Sequence, residues 1–365
     1  MRLTGQSYPL LPVLIHNCAK AMIERKTNGR FLSPLASPLF YLLFTVLLAL
    51  SGCTEETRVL PVHEFRFAQE PVRKAALSED ARLAAFIFDD SSVSVWDVDE
   101  KRERYKWHSD VLDEESLHLI TFSKDKAWLA LTGYWSTTLI NLQSGDVVGS
   151  WHFSGKDPGA TASSTSLSHH GDSALVGMTD GTVLLLNFDN GTALQYQHNT
   201  MKVLHVGYFS NDYAFSGGID KRWFLWDLDK NDVLLERQYR SRVTASVLDN
   251  RAQRAFISDA LNSHEIIDLA THEVMSELQF MERFRFFRKG LFLENGDYLM
   301  TTSSKSVVTL WHANSGEEIA SWEIKRYSSE ATTHAITLNK DGDVVTLSSD
   351  GVLQSWDYRA LITSL

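Results

Sequence analysis

A repeat constrains this chain more than any other feature. A short apolar run closed by an acid, an amide or a histidine recurs seven times. It reads Val95-Trp96-Asp97, Leu139-Ile140-Asn141, Leu185-Leu186-Asn187, Leu225-Trp226-Asp227, Ile266-Ile267-Asp268, Leu310-Trp311-His312 and, with Ser355 leading, Ser355-Trp356-Asp357. The occurrences lie 40 to 46 residues apart. Upstream of each sits a second marker, an apolar residue followed by polar turn formers. Examples are Leu77-Ser78-Glu79-Asp80, Phe209-Ser210-Asn211-Asp212 and Leu338-Asn339-Lys340-Asp341-Gly342, with steps of 39 to 45. Two markers sharing one period describe a stack of like units, each too small to bury its own apolar face alone.

Inside each unit the pattern is that of strands. Alternating apolar runs such as Gly181-Thr182-Val183-Leu184-Leu185-Leu186 are separated by Asp-Gly, Asn-Gly and Ser-Gly turns,. A period near 43 holding four short strands is that of a propeller blade. The expected fold is therefore all-β: a seven-bladed β-propeller of four-stranded antiparallel blades. The last repeat ends at Asp357, eight residues before the end of the sequence, which leaves no room for an ordinary fourth strand. The alternating run from Val59 to Phe67 precedes the first unit and is left over. It should supply the missing strand and close the ring, removing an exposed sheet edge.

These residues resemble the WD-repeat family. The nearest unit runs from Gln197 to Asp227, with a His, an F-S turn, S-G-x-x-D and L-W-D. The resemblance implies a structural hydrogen-bond tetrad on Asp220, His198, Ser216 and Trp226. Such a network satisfies buried polar groups within one blade and does no chemistry. Asp90, Asp180 and Asp350 repeat the turn aspartate, while Tyr134, Leu261 and Lys305 stand in its place elsewhere. The family's Gly-His pair is absent.

The first 52 residues differ from the rest. They hold five basic residues and one acid, and 31–52 carry no charge. The apolar stretch 39–50 has the length of a signal-peptide core and is short for a spanning helix of ~20 residues. Leu50-Ser51-Gly52-Cys53 follows. This resembles the lipobox of bacterial lipoproteins, which implies cleavage before Cys53 and acylation of its thiol. The expected organisation is thus a signal peptide over 1–52, a lipidated tether over 53–58 and the propeller over 59–365. Met22 opens a signal peptide of ordinary length, so translation is expected to start there. Thr54, rather than Asp, after the cysteine implies outer-membrane retention, facing the periplasm.

Charge and motifs limit the function. Beyond residue 52 the chain has 30 basic and 45 acidic residues, a net of −15. That argues against nucleic acid as a partner. Two cysteines make neither a disulfide framework nor a zinc site,. No nucleophile elbow, zinc-hydrolase helix, dinucleotide fingerprint or phosphate loop occurs, so no catalytic residue, metal or cofactor is expected,. His169-His170 and Asp89-Asp90 fall in turns and read as structural.

Two features suggest a binding surface. Tyr134 and Trp135 form an aromatic pair in a loop between strands,. The loops of units four to six are basic, at Lys221, Arg222, Arg240, Arg242, Arg283, Arg285 and Lys305, followed by Lys325 and Arg326. Arg240, Arg242, Arg283 and Arg285 are the strongest candidates for contact with an anionic protein surface. Asp113-Glu114-Glu115 is an acidic counterpart. The loop 154–165, small and polar, has the composition of a mobile segment, either a lid or mere slack,. The expected protein is a monomeric, lipid-anchored propeller that binds protein partners in a bacterial envelope complex, without chemistry of its own. A propeller enzyme of the lactonase or dehydrogenase kind, with a site in the central channel, is the alternative.

Overall fold

Apolar residues at every second position, broken by tight turns, fold here into four-stranded antiparallel meanders. The computed structural model describes residues 59–112, 116–282 and 285–363. The signal sequence, Cys53, residues 113–115 and Arg283 lie outside the described residues. Seven sheets of four strands each follow one another along the chain. Their inner strands are Val72–Leu77, Leu119–Phe122, Ala162–Leu167, Val203–Tyr208, Val243–Asp249, Phe287–Leu293 and Thr333–Leu338. Each inner strand touches the inner strands of its two neighbours, and the first touches the last, so the blades form a ring. The protein is an all-β, seven-bladed propeller.

The ring closes as the leftover run foretold. His63–Arg66 is the fourth strand of blade seven. It pairs antiparallel with Val352–Trp356, His63 opposite Ser355 and Arg66 opposite Val352. Backbone bonds from Val62 to Ser355 and from Phe67 to Gly351, both 2.8 Å, extend the pairing. Glu64 adds side-chain bonds to Lys325 at 2.5 Å and to Gln354 at 3.1 Å. Phe67 and Ala68 then pack with Phe86, Val345, Leu347 and Leu353, joining blade one to blade seven through a shared core.

Burial falls from the middle of each blade outward. The second strand of blade one, Leu83–Phe88, is buried at all six positions, whereas the outer strand Arg102–Trp107 is mostly exposed. The cores lie between blades: Leu83, Ile87 and Trp107 of blade one meet Leu112, Leu129 and Ile140 of the next. Fully burying such a side chain stabilises by about 1.5–3 kcal/mol, so each blade depends on its neighbours.

In six blades the pairing of the inner strand slips by one residue just after its start. The extra residues are Arg73, Ser163, Leu204, Thr244, Arg288 and His334. A bulge of this kind re-aims side chains next to it. Glycine is required at Gly316, whose φ is +76°, and any Cβ there would overlap the Glu277 carbonyl. A five-residue helix, Arg359–Thr363, ends the described chain. Among the described residues no helix is long and apolar enough to cross a membrane.

Candidate functional site

A meander places its turns on two faces. The first-to-second and third-to-fourth turns share one face; the second-to-third turns and the links between blades share the other, here called the loop face. Fourteen large apolar residues are exposed among the described residues, and seven of them lie on the loop face. These are Val111, Tyr134, Trp135, Met201, Leu261, Met281 and Tyr327. Of the other seven, five lie on outer strands, and Leu60 and Val62 lie just before the closing strand, at the opposite-face end of blade seven. Aromatic and methionine side chains on an exposed face are the composition of protein contact surfaces.

Local hydrogen bonds hold this face in shape. Asp180 accepts from the backbone of Thr182 at 3.0 Å and of Asp157, in the preceding link, at 2.9 Å. Asp220 does the same for Thr200 at 2.8 Å, and Asp350 for Tyr327 and Ser328 at 2.7 and 3.0 Å. In blades three, four and seven the repeated aspartate therefore straps the second-to-third turn to the link before it, whereas Asp90 in blade one bonds only Ser92 of its own turn. Those bonds hold the Asp180 carboxyl below the usual range, against the opposing effect of burial. Blade five lacks the aspartate at Leu261, and Asp259 takes over the role. It accepts from Leu261, Asn262 and Ser263 at 2.8–3.0 Å and from Ser241 at 3.1 Å. Sequence alignment of the repeats missed it because it stands two positions early.

The tetrad expected in blade four is built differently. Asn199, not His198, bridges the aspartate and the serine. Ser216 Oγ donates to Asn199 Oδ1 at 2.5 Å, and Asn199 Nδ2 donates to Asp220 at 3.1 Å. His198 packs its ring 5.0 Å from Trp226, and its buried Nε2 has no hydrogen-bond partner among the described residues. Trp226 Nε1 is also buried without one. The shorter Asn side chain, one residue on, reaches the space between Ser216 and Asp220. A tryptophan-to-hydroxyl bond does form in blades six and seven, from Trp311 to Thr301 at 2.8 Å and from Trp356 to Thr346 at 3.1 Å.

The four arginines part company. Arg240 and Arg242 are exposed in the link between blades four and five and carry no ion pair among the described residues. Arg283 lies outside the described residues. Arg285 is not on the surface: it is 8% exposed. It bonds Glu318 at 2.8 Å, Ser321 at 3.0 Å and Thr309, and lies over the rings of Phe280, Phe287 and Trp311. An arginine entering a blade must find a carboxylate and acceptors there, and Glu318 with the two hydroxyls supplies them. Arg222, Lys325 and Arg326 are paired as well, with Glu236, Glu64 and Glu323.

Tyr134 and Trp135 are exposed, Trp135 at 49%. Their rings lie 5.6 Å apart, with His118 4.9 Å from Tyr134. The indole Nε1 of Trp135 donates to the Ala160 carbonyl at 3.0 Å. The loop 154–165 is thereby tied to blade two, and Asp157 ties it to Asp180. Its polar composition suggested a lid, whereas its backbone is anchored at both points. Among the described residues no group of three or more metal-ligating side chains converges.

No protein-family model matches this chain, and no curated protein matches it.

Proposed function

We propose that this propeller is an exported, lipid-anchored, non-catalytic scaffold that binds a protein partner in a bacterial envelope complex through its loop face. The observation that carries the reading is the cluster of exposed apolar side chains in the turns and links of this face, Tyr134, Trp135, Met201 and Leu261 among them. Lys221, Arg240, Arg242 and Lys305 are exposed on the same face. Cationic rim residues around apolar anchors raise association rate and select an acidic partner. The Leu-Ser-Gly-Cys motif supports acylation at Cys53, and the tetrad-like network of blade four supports kinship with WD repeats.

Photocrosslinking from the full chain in its own membrane tests the reading. A benzophenone side chain at Trp135, Met201 or Leu261 should capture one discrete partner. The same probe at Asn190, Lys230 or His272, in turns of the opposite face, should not. Equal capture from both faces, or none from the loop face, overturns the proposal. Cys53→Ser should leave unprocessed precursor without acyl label.

A further inference from the structure

Inner strands from five blades, one, two, three, six and seven, line one cavity of about 390 Å³, so it is a stretch of the central channel. Lys74, Lys289, His334 and Thr165 contribute to its wall. A second cavity of about 500 Å³ opens toward the loop face between blades four, five and six, with Lys202, His205, Arg242 and Arg288 on its wall. Glu79, at the far end, is the single carboxylate among the residues lining either cavity. A channel lined by cations inside a chain of net charge −11 is a local reversal of sign.

The cations have no internal counter-charge. Lys74 and Lys289 make no ion pair and no side-chain hydrogen bond with any described residue. Burial, then Lys289 and Arg288, lower the Lys74 ammonium to about 8. Lys289 lines the same cavity and is exposed to its water, and the protein crowded around it still lowers its ammonium. Burial, then Lys74, Lys289 and Arg288, lower His334 to about 3. The neutral ring accepts from the Ala75 N–H at Nδ1, 3.0 Å away, which leaves its proton on Nε2 as a donor. Among the described residues Thr165 Oγ1, which is buried, has no hydrogen-bond partner. Ammonium groups, a neutral imidazole donor and a spare hydroxyl are the donor set that oxyanions take. Low-dielectric walls concentrate the field of such a set.

We propose that the central channel is a binding site for a small solute carrying two or more oxyanion charges, a polyphosphate or a polycarboxylate. The bulges of the inner strands assemble it: one slip sets Arg288 and Lys289 side by side on the two cavities, and another sets His334 beside Lys74 of the next blade. Mutual repulsion of the unpaired cations disfavours the empty state, and a bound dianion relieves it. The inference stands apart from the partner-binding reading, since it needs neither the apolar loop residues nor the lipid.

Calorimetry on the full chain in detergent, at neutral pH and low salt, tests it with sodium pyrophosphate and, separately, citrate. At least one should bind with one-to-one saturation and a Kd below about 1 mM. Pyrophosphate alone would assign phosphate chemistry, and both together would assign charge as the criterion. Lys74→Gln with Lys289→Gln should weaken binding at least about tenfold, whereas Lys340→Gln, on the opposite rim, should not. A second arm needs no variant: the bound anion should protect Lys74 and Lys289 of the wild-type chain from acetylation, read by mass spectrometry. No saturable binding of either anion, wild-type affinity in a folded double variant, or unprotected lysines would overturn the proposal.

Discussion

Asn199 reaches both carboxylate oxygens of Asp220 with its Nδ2, at 3.1 and 3.2 Å, and so joins the link before blade four to the turn inside it. Ser216 completes the chain of bonds, and all three polar side chains are satisfied within the blade. His198 stands next to this network without joining it.

Removing Asn199 should therefore cost more than removing His198. Losing a partner in a buried network costs about 1–3 kcal/mol. Asn199→Leu should lower the unfolding free energy measured in urea by that amount, and His198→Phe should change it by less than about 1 kcal/mol. Trp311→Phe breaks a bond to Thr301. It should destabilise more than Trp226→Phe, whose Nε1 has no partner to lose. The reverse ranking in either pair contradicts the assignment.

Arg285 should behave as a core residue. Breaking a buried ion pair by removing one partner costs about 3–5 kcal/mol. Glu318 is partly accessible to water, so the lower end applies. Arg285→Ala should lower stability by about 3 kcal/mol, while the surface variant Arg240→Ala changes it by less than about 0.5 kcal/mol. Chemical denaturation of both variants decides it.

The closing strand should govern the whole ring. Phe65→Asp places a charge in the core shared by blades one and seven. Loss of its apolar burial and an unpaired charge should lower the melting temperature of the single unfolding transition. A separate early transition for blade seven, with the remaining blades unchanged, would show that the closing strand acts locally.

Lys74 gives stability a pH dependence of known sign. Its folded-state value is lowered to about 8 from 10.5. Below pH 8 the ammonium is charged in both states and penalised in the folded one, so the cost is fully present. Between about pH 8 and 10.5 the unfolded chain binds more protons, and the Lys74 contribution to stability rises with pH. Lys74→Gln should thus be more stable than wild type at pH 7, by an amount on the order of 1–3 kcal/mol. The advantage should shrink toward pH 10. Lys289, Arg288 and His334 share the channel, and Lys289→Gln should reduce the gain by removing a repelling neighbour. A Lys74→Gln variant less stable than wild type at pH 7 would mean that the ammonium is compensated in the free protein.

The blade pattern was legible because its causes are local. Side-chain alternation and turn formers mark strands within a few residues of themselves, and the repeat period counts the blades. Even the strand from His63 to Arg66 could be assigned by elimination, since one blade lacked a fourth strand. The loop arginines were less legible. Arg285 looks in sequence like Arg240, a cation between two apolar runs, and only the position of Glu318, Thr309 and Ser321 draws it inward. Asn199 and His198 are adjacent, and which one bridges Asp220 depends on a difference of side-chain length set against the backbone of the link.

The sequence alone determined the number of blades, the strands within each and the manner of closure, because these follow from periodicity and turn chemistry along the chain. Tertiary structure alone decided the character of the channel. Lys74, Lys289 and His334 belong to blades one, six and seven, and nothing in their local sequence relates them. Only closing the ring brings blade one beside blade seven and converges the inner strands on one axis. The like charges then meet around one cavity, and a scatter of ordinary lysines and histidines becomes a cationic site.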